Sequence, residues 1–195
     1  MKTLVILLLL VVVGVGILAA LSRKVSPPNQ RFLEYRATLA RLDGEAGEEV
    51  PEAVRREGLE RFSGMWSVLT EEGVRERIRS VYADDVWFND TVHTITEVGA
   101  LEGYLVATAN RVVSCEVVIE QVVHEGRDTF VRWWMTVVTP NGGPEDPMIS
   151  AGMSHLRFNG EGKVVLHQDF WDAAGGLYEH IPGVGWLLRQ IRARL

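Results

Sequence analysis

The stretch Ser154-His-Leu-Arg-Phe-Asn-Gly-Glu-Gly-Lys-Val-Val-Leu-His-Gln-Asp-Phe-Trp-Asp172 constrains this chain more than any other. Two alternating runs flank Asn159-Gly160, a strong hairpin signal. A loop with an even number of residues fixes the faces by parity. Ser154, Leu156 and Phe158 then share one face with Val165, His167, Asp169 and Trp171. Met153, His155 and Arg157 share the other with Val164, Leu166, Gln168 and Phe170. The first face is mostly apolar, yet it carries a hydroxyl, an imidazole and a carboxylate. A buried carboxylate needs a partner. Such a face reads as the wall of a pocket with chemistry in it.

The rest of the compact region supplies a setting for that wall. Thr70 can cap a helix running to about Tyr82, with Val74, Ile78, Val81 and Tyr82 on one side. Val86 to Asp90 reads as a short strand. Thr96 can cap a second helix whose buried stripe is Leu101, Tyr104, Leu105 and Val112. Strands follow at Cys115–His124, Thr129–Thr139, Met148–Phe158 and Lys163–Trp171, separated by turn-rich segments. Helices first and a run of strands afterwards means an α+β fold, with helices packed on one face of a curved antiparallel sheet.

The N-terminus differs in kind. Thr3 to Leu21 is 19 residues without a charge, roughly 28 Å of helix and about one hydrocarbon core. Signal peptides carry shorter apolar regions, of about 7–15 residues. A cleavage pattern exists at Ala20-Leu21-Ser22, but Arg23 follows it, and an uncleaved single-pass transmembrane helix is the expectation. Lys2 lies on one side and Arg23, Lys24, Arg31 and Arg36 on the other; both orientations of the soluble part are compatible with these charges. The expected organisation is an anchor over residues 1–22, a linker with a short helix from Phe32 over 23–57, an α+β domain over 58–174, and an amphipathic C-terminal helix over 175–195. In that last segment Trp186, Leu187, Ile191 and Leu195 recur at helical spacing beside Arg189, Arg192 and Arg194. One reading docks this helix on its own domain; the other lays it on a membrane surface.

Charge and motif content narrow the partners. The net charge of −6, with no basic run interleaved with aromatics, argues against nucleic acid. Cys115 is the only cysteine, so no intramolecular disulfide can form. His93, His124, His155, His167 and His180 show no metal-ligand spacing, and no metal site is expected. No Gly-rich phosphate loop and no Gly-x-Ser-x-Gly elbow occur, so no cofactor is called for.

Taken together, Tyr82-Ala-Asp-Asp-Val-Trp-Phe-Asn-Asp90 between two helices, and Met153-Ser-His-Leu-Arg-Phe-Asn-Gly-Glu-Gly-Lys-Val-Val165, resemble the nuclear transport factor 2-like superfamily in its SnoaL-like and ketosteroid isomerase-like branch. The resemblance spans about Gly64 to Asp172. It implies a cystatin-like cone in which helices close over a bent sheet around an apolar cavity. It also implies a homodimer through the convex sheet face, where Trp134 and Arg132 fall. Asp90 falls where ketosteroid isomerases keep the general base, and Ser154 where they keep a protonated aspartate. The tyrosine completing that oxyanion hole falls near Trp66. Asp169 falls where SnoaL-like cyclases place an acid/base carboxylate. The expected catalytic residues are therefore Asp169, His167 and Asp90, with Ser154, Trp133, Trp171 and Met135 binding a small apolar molecule. Isomerisation, cyclisation, dehydration and epoxide opening all fit proton transfer by such a set. Asp90 also reads as an Asx turn with the Thr91 or Val92 amide, His167 as a satisfied core histidine, and the whole cavity as a non-catalytic binding or dimerisation module.

Overall fold

Thr70 stops the chain in an extended conformation, and its Oγ1 accepts the Gly73 amide at 3.0 Å. From this cap runs a helix that buries Val74, Ile78 and Val81, the apolar stripe the spacing predicts. The computed structural model describes residues 29–45, 49–181 and 183–195. The apolar segment Thr3–Leu21 lies outside the described residues. Among the described residues no helix is long and apolar enough to cross a membrane.

The chain divides into two units between Gly44 and Glu45. The first contributes helix α1 (Gln30–Gly44), where Gln30 Nε2 donates to Glu34 Oε1 one turn on. The second contains α2 (Glu52–Trp66), α3 (Glu71–Val81), β1 (Tyr82–Asn89), β2 (Thr94–Ile95), α4 (Val98–Ala109), β3 (Ser114–Glu125), β4 (Asp128–Val138), β5 (Met148–Phe158) and β6 (Val164–Trp171). A short turn of helix, α5 (Ala173–Gly176), a 3-10 turn (Tyr178–His180) and α6 (Val184–Arg192) complete it.

Two elements differ from the sequence-based expectation. Helix α2 begins at Glu52, inside the stretch read as linker, and buries Gly58, Phe62 and Met65. Its sequence hides this, because Gly58 interrupts an otherwise charged run. The glycine is there for closeness: a Cβ on it would lie 2.3 Å from the Gly162 carbonyl oxygen in the β5–β6 turn. Arg61 on the same helix donates to the carbonyls of Ser80, Glu161 and Gly162 at 2.9–3.1 Å. The second difference is the sheet. Its order is β2-β1-β6-β5-β4-β3, and β1 runs parallel to β6. The sheet is therefore mixed, not wholly antiparallel. A parallel pair needs a long crossover, here α4 and the meander β3–β5. Helix α4 takes its N-cap at Glu97, one residue beyond Thr96.

The hairpin pairs Gly152 with Trp171, Ser154 with Asp169 and Leu156 with His167. Near the turn parity shifts. The loop runs from Asn159 to Lys163, an odd number, and sets Phe158 opposite Val164. A register shift next to Phe158 then restores the predicted pairing further out. Val164, not Val165, is the valine buried beside Phe158. The helices cover the inner sheet face, and Phe62, Ile78 and Leu101 meet Phe88, Val131 and Leu156 in one core.

Candidate functional site

On the inner face of β4, Trp133 and Met135 follow each other at the strand period, and β5 and β6 place Ser154, His167, Asp169 and Trp171 beside them. These six residues and Asp90 line one cavity of about 320 Å³. The rest of its wall is mostly apolar, including Phe62, Trp66, Phe88, Leu105 and Ile119. The cavity extends past Val137 to Thr139 and Met148 at the far end of the sheet, and to Gly176 and Leu177 of the segment after β6. Trp133 and Trp171 do not fill it. Gly152 makes room for the Trp133 ring and the Trp171 Cβ: a Cβ there would lie 2.5 Å from the Trp133 ring and 2.7 Å from Trp171 Cβ.

Asp169 is buried and takes its two side-chain hydrogen bonds on one oxygen. Ser154 Oγ lies 2.5 Å and His167 Nε2 2.8 Å from Oδ1. Each donor is backed by another. Trp133 Nε1 donates to Ser154 Oγ at 2.8 Å. The Tyr82 hydroxyl lies 2.8 Å from His167 Nδ1, and Trp66 Nε1 donates to that hydroxyl at 3.0 Å. Indole N–H groups only donate, so the network begins at each end with a tryptophan donor. Trp66 donates to Tyr82; in the Nε2–H tautomer of His167, Nδ1 accepts the Tyr82 proton and Nε2–H donates to Asp169. Trp133 likewise turns the Ser154 proton towards Asp169. In that tautomer both donors to Asp169 converge on Oδ1.

Aromatic rings hold the imidazole in place. His167 stacks on Tyr82 with planes 5° apart, and Phe62, Phe88 and Trp66 meet it edge-on at centroid distances of 4.9–5.8 Å. Burial pushes the Tyr82 hydroxyl well above its ordinary range; the Trp66 hydrogen bond opposes this and the Asp169 charge adds to it. Tyr82 is thus a fixed neutral donor and not a phenolate at any moderate pH.

Asp90 is placed differently. Its Oδ1 accepts the amides of Val92 at 2.9 Å and His93 at 2.7 Å, and its Oδ2 accepts the Tyr104 hydroxyl. The expected Asx arrangement is present through the Val92 amide, with His93 added to it, while Thr91 N turns to Asn89 Oδ1. Thr91 itself sits at φ 73°. The Asp90 carbonyl accepts Trp171 Nε1 at 2.9 Å. Asp90 therefore fixes the loop, Tyr104 and the Trp171 ring around the cavity. Burial, then the Asp90 charge, drive the Tyr104 hydroxyl far up.

Ser154 also departs from expectation. Its single proton goes to Asp169, so it orients the carboxylate and offers no donor to a substrate oxygen. Tyr82 was legible only as the end of a helical stripe. Its role depends on the chain turning into β1 at that residue, which puts the phenol beside β6. His93 packs its ring on Tyr104 at 4.8 Å.

Solved structures share this architecture. An LEH-like epoxide hydrolase from M. tuberculosis superposes with a TM-score of 0.54 at 16% identity, covering 73% of this chain and 96% of that one. A protein from Catenulispora acidiphila with a ketosteroid isomerase-like fold, solved with trimethylamine, gives 0.53 at 17% identity over 66% and 91%. An NTF2-like protein of unknown function from Exiguobacterium gives 0.50 at 16% over 59% and 98%. At these identities the likeness is one of fold. No curated protein matches the chain in sequence. The SnoaL-like domain family matches residues 59–167, more than half of the chain and nearly all of the cavity-bearing fold. This protein belongs to the SnoaL-like domain family, within the nuclear transport factor 2-like superfamily.

Proposed function

We propose that this protein is an enzyme that moves a proton on a small apolar molecule, with Asp169 as the base. One observation carries the reading: both side-chain hydrogen bonds to Asp169 fall on Oδ1, which leaves Oδ2 for a ligand in an apolar cavity. Held by donors on one oxygen, the carboxylate has a fixed direction of attack. In the reaction, Oδ2 takes a proton from a carbon next to a carbonyl, and the same oxygen returns it at a second carbon or after ring closure. Ser154 and the His167–Tyr82–Trp66 chain keep the carboxylate oriented and solvated by protein dipoles. Asp90 is engaged on both oxygens, so it positions Tyr104 and Trp171 instead of sharing the proton work. A single available carboxylate favours isomerisation or cyclisation over reactions that need a separate acid and base.

The test uses deuterium incorporation from D2O into a panel of apolar ketones and enones, read by mass spectrometry. Wild type incorporates label, and Asp169→Asn loses about 10²–10⁴-fold of the rate with an unchanged circular dichroism spectrum. Full exchange in that variant ends the assignment. Retained ligand binding with no exchange in either protein supports a pocket that only binds. Two further readings belong to this proposal. The uncharged Thr3–Leu21 segment supports a membrane tether, and exposed Val118, Trp134 and Met153 on the outer sheet face support a homodimer.

A further inference from the structure

The C-terminal helix α6 (Val184–Arg192) turns the wrong face to its own domain for a docked helix. Residues Val184, Leu187, Leu188 and Ile191 recur at spacings of three and four and form one apolar stripe. Gly185, Arg189 and Arg192 form a second strip beside it. It is the second strip that meets the domain. Gly185 is buried against Glu179, close enough that a Cβ would lie 1.9 Å from the Glu179 carbonyl oxygen. Arg189 Nη1 donates to that carbonyl at 3.4 Å, and Arg192 pairs with the Glu179 carboxylate and, at 3.7 Å, with Asp172. Most of the apolar stripe is left outside, with Leu188 half-buried: Val184 is 42%, Leu187 52% and Ile191 47% exposed, and Ile181 just before them 41%. A helix fixed through its polar strip, with its apolar strip in water, is not stabilised by its own fold on that side.

We infer that the α6 stripe lies in the interface of an anionic lipid bilayer, with its apolar side chains among the acyl-chain ends and its arginines at the headgroups. The charge fits. From Gly183 to Leu195 the chain carries three arginines and no acidic residue, although the whole chain carries −6. Arg192 is held by Glu179 and Asp172, and Arg189 lies on the Glu179 carbonyl; Arg194 flanks the stripe and can reach phosphate. Location fits as well, and here the inference rests on the proposed tether: a span at Thr3–Leu21 keeps this domain beside a membrane at all times. A short stripe in a weakly basic segment binds weakly alone, and the tether removes the need for strong binding. Leu177, which lines the cavity, stands just ahead of the 3-10 turn that carries Glu179. A docked α6 therefore brings one wall of the cavity up to the lipid.

The experiment places an environment-sensitive fluorophore on Leu187→Cys or, as the polar-side control, on Gln190→Cys, in the full chain reconstituted into vesicles. Cys115 is buried and its thiol is pushed up to about 11 by that burial, so the introduced cysteine takes the label. The vesicles are phosphatidylcholine alone or mixed with phosphatidylglycerol, and carry a doxyl-lipid quencher. Expected is quenching at Leu187 about threefold or more above that at Gln190, larger with phosphatidylglycerol and reduced by salt. Adding Ile191→Glu to the Leu187→Cys protein should abolish the difference. Equal quenching at both positions in protein that floats with the vesicles overturns the inference and leaves the tether standing. Protein that does not float overturns both. A blue-shifted Leu187 label without lipid quenching assigns the stripe to a second copy or another protein, and also overturns it. None of these outcomes touches the assignment of Asp169, which the deuterium assay decides separately.

Discussion

The hydroxyl of Tyr82 lies 2.8 Å from Nδ1 of His167, across 85 residues of sequence, and sets which imidazole nitrogen faces Asp169. Tyr82→Phe removes that hydroxyl and leaves the half-buried Trp66 Nε1–H and the buried His167 Nδ1 without it. Each orphaned group costs about 1–3 kcal/mol. The expected result is a destabilisation of at least about 1 kcal/mol by urea unfolding, with turnover down roughly tenfold and KM little changed. A variant as stable and as active as wild type would remove Tyr82 from the network.

Gly152 on β5 lies under the Trp133 ring and beside the Trp171 Cβ, with no space for a methyl group. Gly152→Ala forces the Trp133 ring away from β5 and presses on the Trp171 Cβ, and overpacking of this kind costs about 1–3 kcal/mol. Displacing Trp133 also breaks its bond to Ser154. Lower thermal stability together with weaker ligand binding is expected. Binding of an apolar dye at wild-type affinity would show that the ring positions do not shape the cavity.

Stability should have a plateau with two declining limbs. On the alkaline side, burial holds the Cys115 thiol at about 11 against an ordinary 9.0, and holds Tyr82 and Tyr104 above their ordinary 10.0. The unfolded chain loses these protons first, so their contribution is whole below about pH 9 and falls as pH rises through the folded values. On the acid side, burial lowers His155 from 6.5, with Arg157 adding to this and Asp128 opposing it. Asp128 is lowered from 3.8, because the Arg157 and His155 hydrogen bonds outweigh its burial. Here the unfolded chain binds protons first, so stability is whole above about pH 6.5 and declines in two steps below it. Denaturant midpoints across pH 2–11 test this; in Asp128→Asn the lower acid step should be missing, and its persistence would reassign it.

The outer sheet face predicts an assembly. Trp134 is 46% and Met153 41% exposed there, with Arg132 and Glu120 paired at 3.4 Å beside them. Sedimentation of the full chain in detergent should give a dimer, and Trp134→Glu should shift it towards monomer by about tenfold in dissociation constant or more. An unchanged sedimentation profile would place the dimer contact elsewhere.

Cys115 lines the cavity, and with its thiol pushed up to about 11 it should alkylate roughly two orders of magnitude more slowly than an ordinary cysteine at pH 8. A bound ligand should slow it further. Mass spectrometry after iodoacetamide treatment reads both effects, and a thiol that reacts at the free rate would show that the cavity is open to solvent at that wall.

Much of the site was legible before the structure because strand periodicity is local. Alternation along Ser154–Asp172 placed Ser154, His167, Asp169 and Trp171 on one face without reference to the rest of the molecule. It failed only next to the turn, where the odd loop and the adjacent irregularity moved Val164 inward, since loop length is decided by turn geometry and not by alternation. Helix α2 stayed hidden because Gly58 lowers helix propensity, and its benefit appears only once the β5–β6 turn is in place.

Local pattern thus determined the elements, their inward faces and the concentration of polar groups on one apolar wall. Tertiary structure decided what those groups do. The parallel pairing of β1 with β6 brought Tyr82 to His167, the Asp90 loop took both oxygens of its carboxylate, and the contact with Glu179 turned the α6 stripe outward. Each of these rests on residues far apart in sequence or on a competition between partners. Periodicity records which side of an element is apolar; it carries no record of which distant partner that side will meet.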